Sequence, residues 1–126
     1  MLLCDTNVFI EIFRQNVVIR NAIEKIGVDN ISVSDITLGE LFYETINKSE
    51  LKMMHNDLDP IAALHINDEI SQMAVNMVEQ YCLSHKLDID DALIAATALY
   101  HNIELFTLNT KDFKFIPNLK LYQIQQ

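Results

Sequence analysis

Residues 1–13 read MLLCDTNVFIEIF. Leu2, Leu3 and Cys4 show no polar alternation, which predicts a short strand buried on both faces, the habit of parallel strands in α/β proteins. The strand ends on Asp5, and Val8, Phe9, Ile12 and Phe13 follow at helical spacing. An acid at the carboxyl end of a parallel strand stands where open α/β sheets bind their ligands. Asp, Thr and Asn are also favoured helix N-caps, so capping accounts for Asp5, Thr6 or Asn7 singly without any chemistry. This stretch alone supports both readings.

Working outward, Arg14, Gln15 and Asn16 make a polar break before VVIRNAIEKI, a short helix carrying Val17, Ile19, Ile23 and Ile26, with Gly27 as its C-cap. Alternation at Ile31 and Val33 predicts a strand. Ser34 or Asp35 then caps a helix bearing Ile36, Leu41, Phe42 and Ile46, with Glu40 inside it and an apolar flank on that acid. KSELKMMHNDLDP (48–60) is a helical arm with a Ser cap that stops at Pro60, and its Met-rich face suits packing or an adaptable interface. IAALHI (61–66) reads as a further buried strand. Over 67–86 the residues Ile70, Met73, Ala74, Met77, Val78, Tyr81 and Cys82 recur at helical spacing behind an Asn67 cap. Asp88, Asp90 and Asp91 precede a helix apolar almost all round, hence buried. Ile103, Leu105 and Phe106 form a strand ending in Thr107, Asn109 and Asp112, and one last strand is expected around Leu119 to Ile124. Alternating strands and helices without repeats predict an α/β sandwich with a mainly parallel sheet.

The chain of 126 residues fits one domain, residues 1–126, that buries roughly two-thirds of its unfolded surface. It has no apolar run long enough to span a membrane and no leader pattern, so the expectation is a soluble, cytoplasmic protein. Cys4 and Cys82 stand alone in apolar patterns and read as reduced thiols. Eighteen acids against nine bases leave a net charge of −9, which excludes a protein gripping nucleic acid over a broad basic surface. Nucleic-acid chemistry would require positive charge from bound divalent cations or a basic partner.

Acids recur at element boundaries: Asp5, the Asp90–Asp91 pair, and Asp112, with Glu40 as a fourth. Each has a structural reading as a cap, a solvated helix face or a turn. Strand ends of a parallel sheet gather along one edge, however, so the four can share one pocket. Two carboxylates about 4 Å apart repel by roughly 4 kcal/mol at an effective dielectric of about 20. A divalent cation offsets this. All-oxygen ligands favour Mg²⁺ or Mn²⁺, which suit phosphodiester hydrolysis by activating water. His55, His65, His85 and His101 have no ligand spacing and read as surface or cap residues. No nucleophilic triad or glycine-rich phosphate loop is present.

Four stretches, LLCDTNVFIEIF, ISVSDITLGELFYE, DIDDALIAATAL and ELFTLNTKDFKFIPNLKL, together resemble the PIN-domain ribonucleases, and within them the VapC-type toxins of bacterial toxin-antitoxin pairs. The stretches occur in family order over nearly the whole chain. The resemblance implies a three-layer α/β/α sandwich, Mg²⁺- or Mn²⁺-dependent endoribonuclease activity on RNA, a homodimer, and inhibition by a cognate antitoxin. It implies that Asp5, Glu40 and Asp91 hold metal and act catalytically. Some family members place the fourth acid where this chain has Asn109, others before Phe, here Asp112. Asp112 is favoured, with Asn109 or Thr107 assisting by hydrogen bonding. Thr6 and Asn7 match outer-shell or substrate-positioning residues, and Asp90 is an outer-shell ligand or the helix cap.

Two rival readings remain open on the sequence. The Asn109 departure and the acidic surface suit a catalytically inactive PIN-like binding module. An Asp after the first strand also suits an aspartyl phosphotransfer domain, but DTNVF lacks the second Asp of that motif.

Overall fold

The computed structural model describes residues 1–124. Four strands, β1 (Leu2–Cys4), β2 (Ile31–Ser34), β3 (Ala62–Leu64) and β4 (Glu104–Phe106), pair in parallel in the order β3-β2-β1-β4. The first strand is central. Leu3 pairs with Ser32 on one side and Leu105 on the other, so β1 has neighbours along both edges. Six helices connect and cover the sheet: α1 (Thr6–Phe13), α2 (Val17–Ile26), α3 (Asp35–Tyr43), α4 (Lys48–Leu58), α5 (Asp68–His85) and α6 (Ile89–His101).

Side-chain alternation along β1 divides the interior in two. Leu2 and Cys4 pack with Val8, Phe9, Ile23, Ile31 and Phe106 against α1 and α2, while Leu3 packs with Ile70, Ala95, Leu105 and Phe113 against α5 and α6. The result is the three-layer α/β/α sandwich expected from the sequence. Alanines make the second layer close: Ala92, Ala95, Ala96 and Ala98 of α6 are all fully buried, and α5 packs chiefly on α6. No helix among the described residues is long and apolar enough to cross a membrane.

Each helix starts where a side chain satisfies its free N–H groups. Asp5, Asn16, Ser34, Asn47, Asn67 and Asp88 are the caps. The arm helix α4 is thus capped by Asn47, not by its Ser, because Asn47 Oδ1 accepts from Glu50 N at 2.8 Å. Gly27 ends α2 with φ 91°, where a side chain would be strained, and its N–H donates to Ile23 O at 2.8 Å.

Three expectations are corrected. β3 is an edge strand, not a buried one: Ala62 and Ala63 are exposed because only β2 lies beside them. The expected last strand shrinks to one parallel bridge, Leu105 to Leu121. Leu105 exchanges bonds with Lys120 O and Tyr122 N, and β4 itself ends at Phe106, so the tail finds no further strand residue to pair with. Ile46 falls beyond the end of α3 and is 82% exposed, because the helix closes at Tyr43.

Leu3 is fully buried at the centre of the sheet. Leu3→Ala is expected to destabilise the fold by about 2–5 kcal/mol, as a shift of the urea midpoint at unchanged slope. Ala63→Ser, on the exposed edge, is expected to change stability by about 0.5 kcal/mol or less.

Candidate active site

In the order β3-β2-β1-β4, the chain steps from β1 out through β2 to β3 on one side and returns to β4 on the other, which opens a crevice between the carboxyl ends of β1 and β4. Asp5 sits in that crevice. It is 6% exposed, and both carboxylate oxygens are met: Oδ1 accepts from Thr6 N at 2.8 Å and Oδ2 from Thr107 Oγ1 at 2.8 Å. The same residue therefore caps α1 and is held by the end of β4. Asn7 braces the other strand end, since its Oδ1 accepts from Leu108 N at 3.1 Å and its Nδ2 donates to Thr107 Oγ1 at 3.4 Å. Asn109 joins through its backbone N–H, which donates to Thr107 Oγ1 at 3.1 Å.

Glu40 is half-buried on α3, and Thr6 Oγ1 donates to its Oε1 at 2.8 Å. Thr6 Oγ1 also lies 3.0 Å from Thr37 Oγ1, a fully buried hydroxyl. Thr6 thus links the start of α1 to the acid of α3. Asp90 and Glu40 line one shallow groove along α3 with Asp35, Gly39 and Tyr43.

The acids perturb one another. Burial raises Asp5 above the usual carboxylate range, its bonds from Thr107 and Thr6 pull it back, and the Asp112 charge raises it again. Burial also raises Glu40, against the bond from Thr6, with Asp90, Asp5 and Asp88 adding like charge. Asp91, at the first turn of α6, is pushed up to about 7 by burial first and then by Asp88, Asp5, Asp112 and Glu40. A helix N-terminus ordinarily favours a carboxylate, so burial and like charge outweigh the dipole here.

The PIN domain family matches residues 2–118 of the chain. The chain belongs to the PIN-domain family. A Ribonuclease VapC of Rickettsia bellii is 50% identical over 38 residues, which span 30% of this chain and 28% of that one. Ribonuclease VapC19 of Mycobacterium tuberculosis is 27% identical over 93 residues, 73% of this chain and 74% of its own. Among solved structures, a toxin-antitoxin complex from Klebsiella pneumoniae is similar with a TM-score of 0.81 at 30% identity, over 98% of this chain and 100% of that one.

Within this PIN domain, Asp5, Glu40, Asp91 and Asp112 come from four segments, and the other three all act on Asp91. Thr6, Asn7, Thr107 and Asn109 form the hydrogen-bonded frame around Asp5. Asp90 is exposed and does not cap the helix. That task belongs to Asp88, whose Oδ1 accepts from Asp91 N at 2.9 Å. Asp88 is a further acid acting on Asp91 that sequence reasoning passed over; its place three residues before Asp91 is the spacing of a cap to its donor, a spacing that does not by itself exclude Asp90 or Asp91 as the cap. The four histidines are exposed, and both cysteines are free thiols.

The donor set is oxygen only, which suits a hard divalent cation. Among the described residues, no group of three or more Asp, Glu, His or Cys side chains forms a ready-made ion cage. Mg²⁺ commonly takes only one or two carboxylates and completes its octahedron with water and phosphate, so the residues fit such an ion.

The raised value of Asp91 has a consequence for stability. An acid raised on folding favours the fold below its unfolded value, here 3.8, and loses that contribution as pH rises through about 7. Asp91→Asn is expected to match the parent near pH 4 and to melt higher at pH 8. About 1 kcal/mol of repulsion surviving solvent screening corresponds to about 4 °C at this length. Thermal unfolding at both pH values tests this; an equal difference at the two would show that the pocket charge is not the cause.

Proposed function

We propose that this protein is a metal-dependent endoribonuclease that hydrolyses RNA phosphodiester bonds as the toxin of a toxin-antitoxin pair, with Mg²⁺ or Mn²⁺ as cofactor. The observation that carries the reading is the buried Asp5 at the sheet's switch point, tied to α1 by the Thr6 N–H and to the end of β4 by Thr107, beside Asp91, on which Glu40 and Asp112 also act. RNA as substrate is supported by the ribonuclease names of the relatives, and an antitoxin as partner by the Klebsiella pneumoniae complex. A homodimer follows from the resemblance to VapC-type toxins.

One or two of Asp5, Glu40, Asp91 and Asp112 would hold the cation, with water and phosphate completing its shell. When bound, it lowers the pKa of an attacking water and stabilises charge on the phosphate. The chain's own residues do the positioning. Thr107 and the Thr6 N–H take one oxygen of Asp5 each, which fixes the rotation of its carboxylate. The Thr6 hydroxyl orients Glu40, and Asn7 keeps the end of β4 against the start of α1. Asp90 adds negative charge beside Glu40. Asp91, pushed up to about 7, would have to be ionised to act as a ligand.

The test is cleavage of a mixed RNA pool by purified protein with Mg²⁺ or Mn²⁺. EDTA is expected to abolish cutting, and Asp5→Asn to lower it by about 100-fold or more while circular dichroism is unchanged, since Asn also caps helices. Cutting retained in either arm overturns the assignment. Metal binding by the parent without cutting would make the domain an inactive binding module.

A further inference from the structure

A chain of net charge −9 with acids lining its pocket must still bring a polyanion to that pocket. A bound cation neutralises only the phosphate it touches. Three of the nine Lys and Arg residues, Lys86, Lys111 and Lys114, lie on the two segments that carry Asp88 and Asp112. Lys86 closes α5 in the left-handed conformation, φ 55°, two residues before Asp88. Lys111 and Lys114 flank Asp112 and Phe113 in the short turn after β4.

These segments are held together. Leu87, next to Lys86, is buried in the same core as Phe113 and Ile116. The His85 and Phe115 rings, adjoining Lys86 and Lys114 in sequence, stack at 4.0 Å with planes 15° apart. All three lysines are exposed, and among the described residues none forms an ion pair. Asp88 and Asp112, their neighbours in sequence, both act on Asp91. The other cations lie elsewhere: Arg14, Arg20 and Lys25 at α1 and α2, Lys48 and Lys52 on α4, Lys120 in the tail.

Resting on the ribonuclease reading above, we infer that Lys86, Lys111 and Lys114 form a cationic rim, on the α5–α6 side of the acid pocket, that binds the phosphates of the RNA strand flanking the cut. Ammonium groups on flexible stems hold phosphate as point charges and read no base, so the rim positions the strand without selecting its sequence. It therefore acts on capture more than on the chemical step.

The experiment compares the parent with Lys86→Ala/Lys111→Ala/Lys114→Ala and with Lys25→Ala/Lys48→Ala/Lys52→Ala, which removes the same charge elsewhere. Cleavage of a single-stranded RNA is measured with Mg²⁺ or Mn²⁺ across salt concentrations, and binding of the same RNA by fluorescence anisotropy in EDTA. In the rim variant KM is expected to rise by at least about tenfold with kcat within about twofold, and the slope of log affinity against log salt to fall by about 2. The control stays near the parent. An unchanged KM and slope in the rim variant, or an equal loss in both variants, overturns the inference while leaving the nuclease intact. Weakened binding of a poly-glutamate peptide with RNA handling unchanged also overturns it and makes the rim a protein-docking surface. A parent that binds RNA through the rim but never cuts sinks the nuclease reading and keeps the rim; one that neither binds nor cuts sinks both.

Discussion

A carboxylate that is 6% exposed must have its oxygens met by donors or be neutral, and Asp5 at the end of β1 is such a group. Its two hydrogen bonds reach both ways, to the first N–H of α1 and to the hydroxyl at the end of β4. Much of the architecture follows. β4 must pair directly with β1 for Thr107 to arrive, and Asn7 must tie the following turn, or the Thr107 hydroxyl swings free. Losing Thr107 would leave a buried oxygen without a partner, at about 1–3 kcal/mol or more for a charged group.

The second constraint is repulsion among the acids, and the fold offsets it with packing elsewhere. Small residues let α6 lie close, with Ala92, Ala95, Ala96 and Ala98 all buried. That closeness brings Asp91, at the start of the same helix, toward the end of β1. The pocket therefore owes its crowding to the tightest part of the core. Like charge gathered around Asp91 costs stability that packing elsewhere has to offset.

The layers of the fold were legible because hydrophobic period carries them. Leu2–Cys4 has no polar position and is buried on both faces, and the spacing from Ile70 to Met77 marks the helix that covers one of them. Periodicity does not report what lies beside a strand, which is why the apolar run Ala62–Leu64 looked buried but forms an edge. The tail forms only one bridge because β4 ends at Phe106, which periodicity in the tail itself does not report. In the pocket, acids at strand ends were readable singly, and the family pattern grouped Asp5, Glu40, Asp91 and Asp112. Which of three neighbouring acids caps α6 was not readable, because Asp88, Asp90 and Asp91 are chemically equivalent until backbone geometry selects one.

Charge placement sets which ligands the acid pocket favours. The pocket is a well of negative potential that attracts any cation of the right size: a proton, a divalent ion, or a basic side chain of a bound protein. These compete for the same oxygens. Burial and like charge push Asp91 up to about 7, so a proton is held there more readily than at an ordinary carboxylate. A basic segment in the pocket would satisfy the repulsion as a metal does, but without supplying activated water.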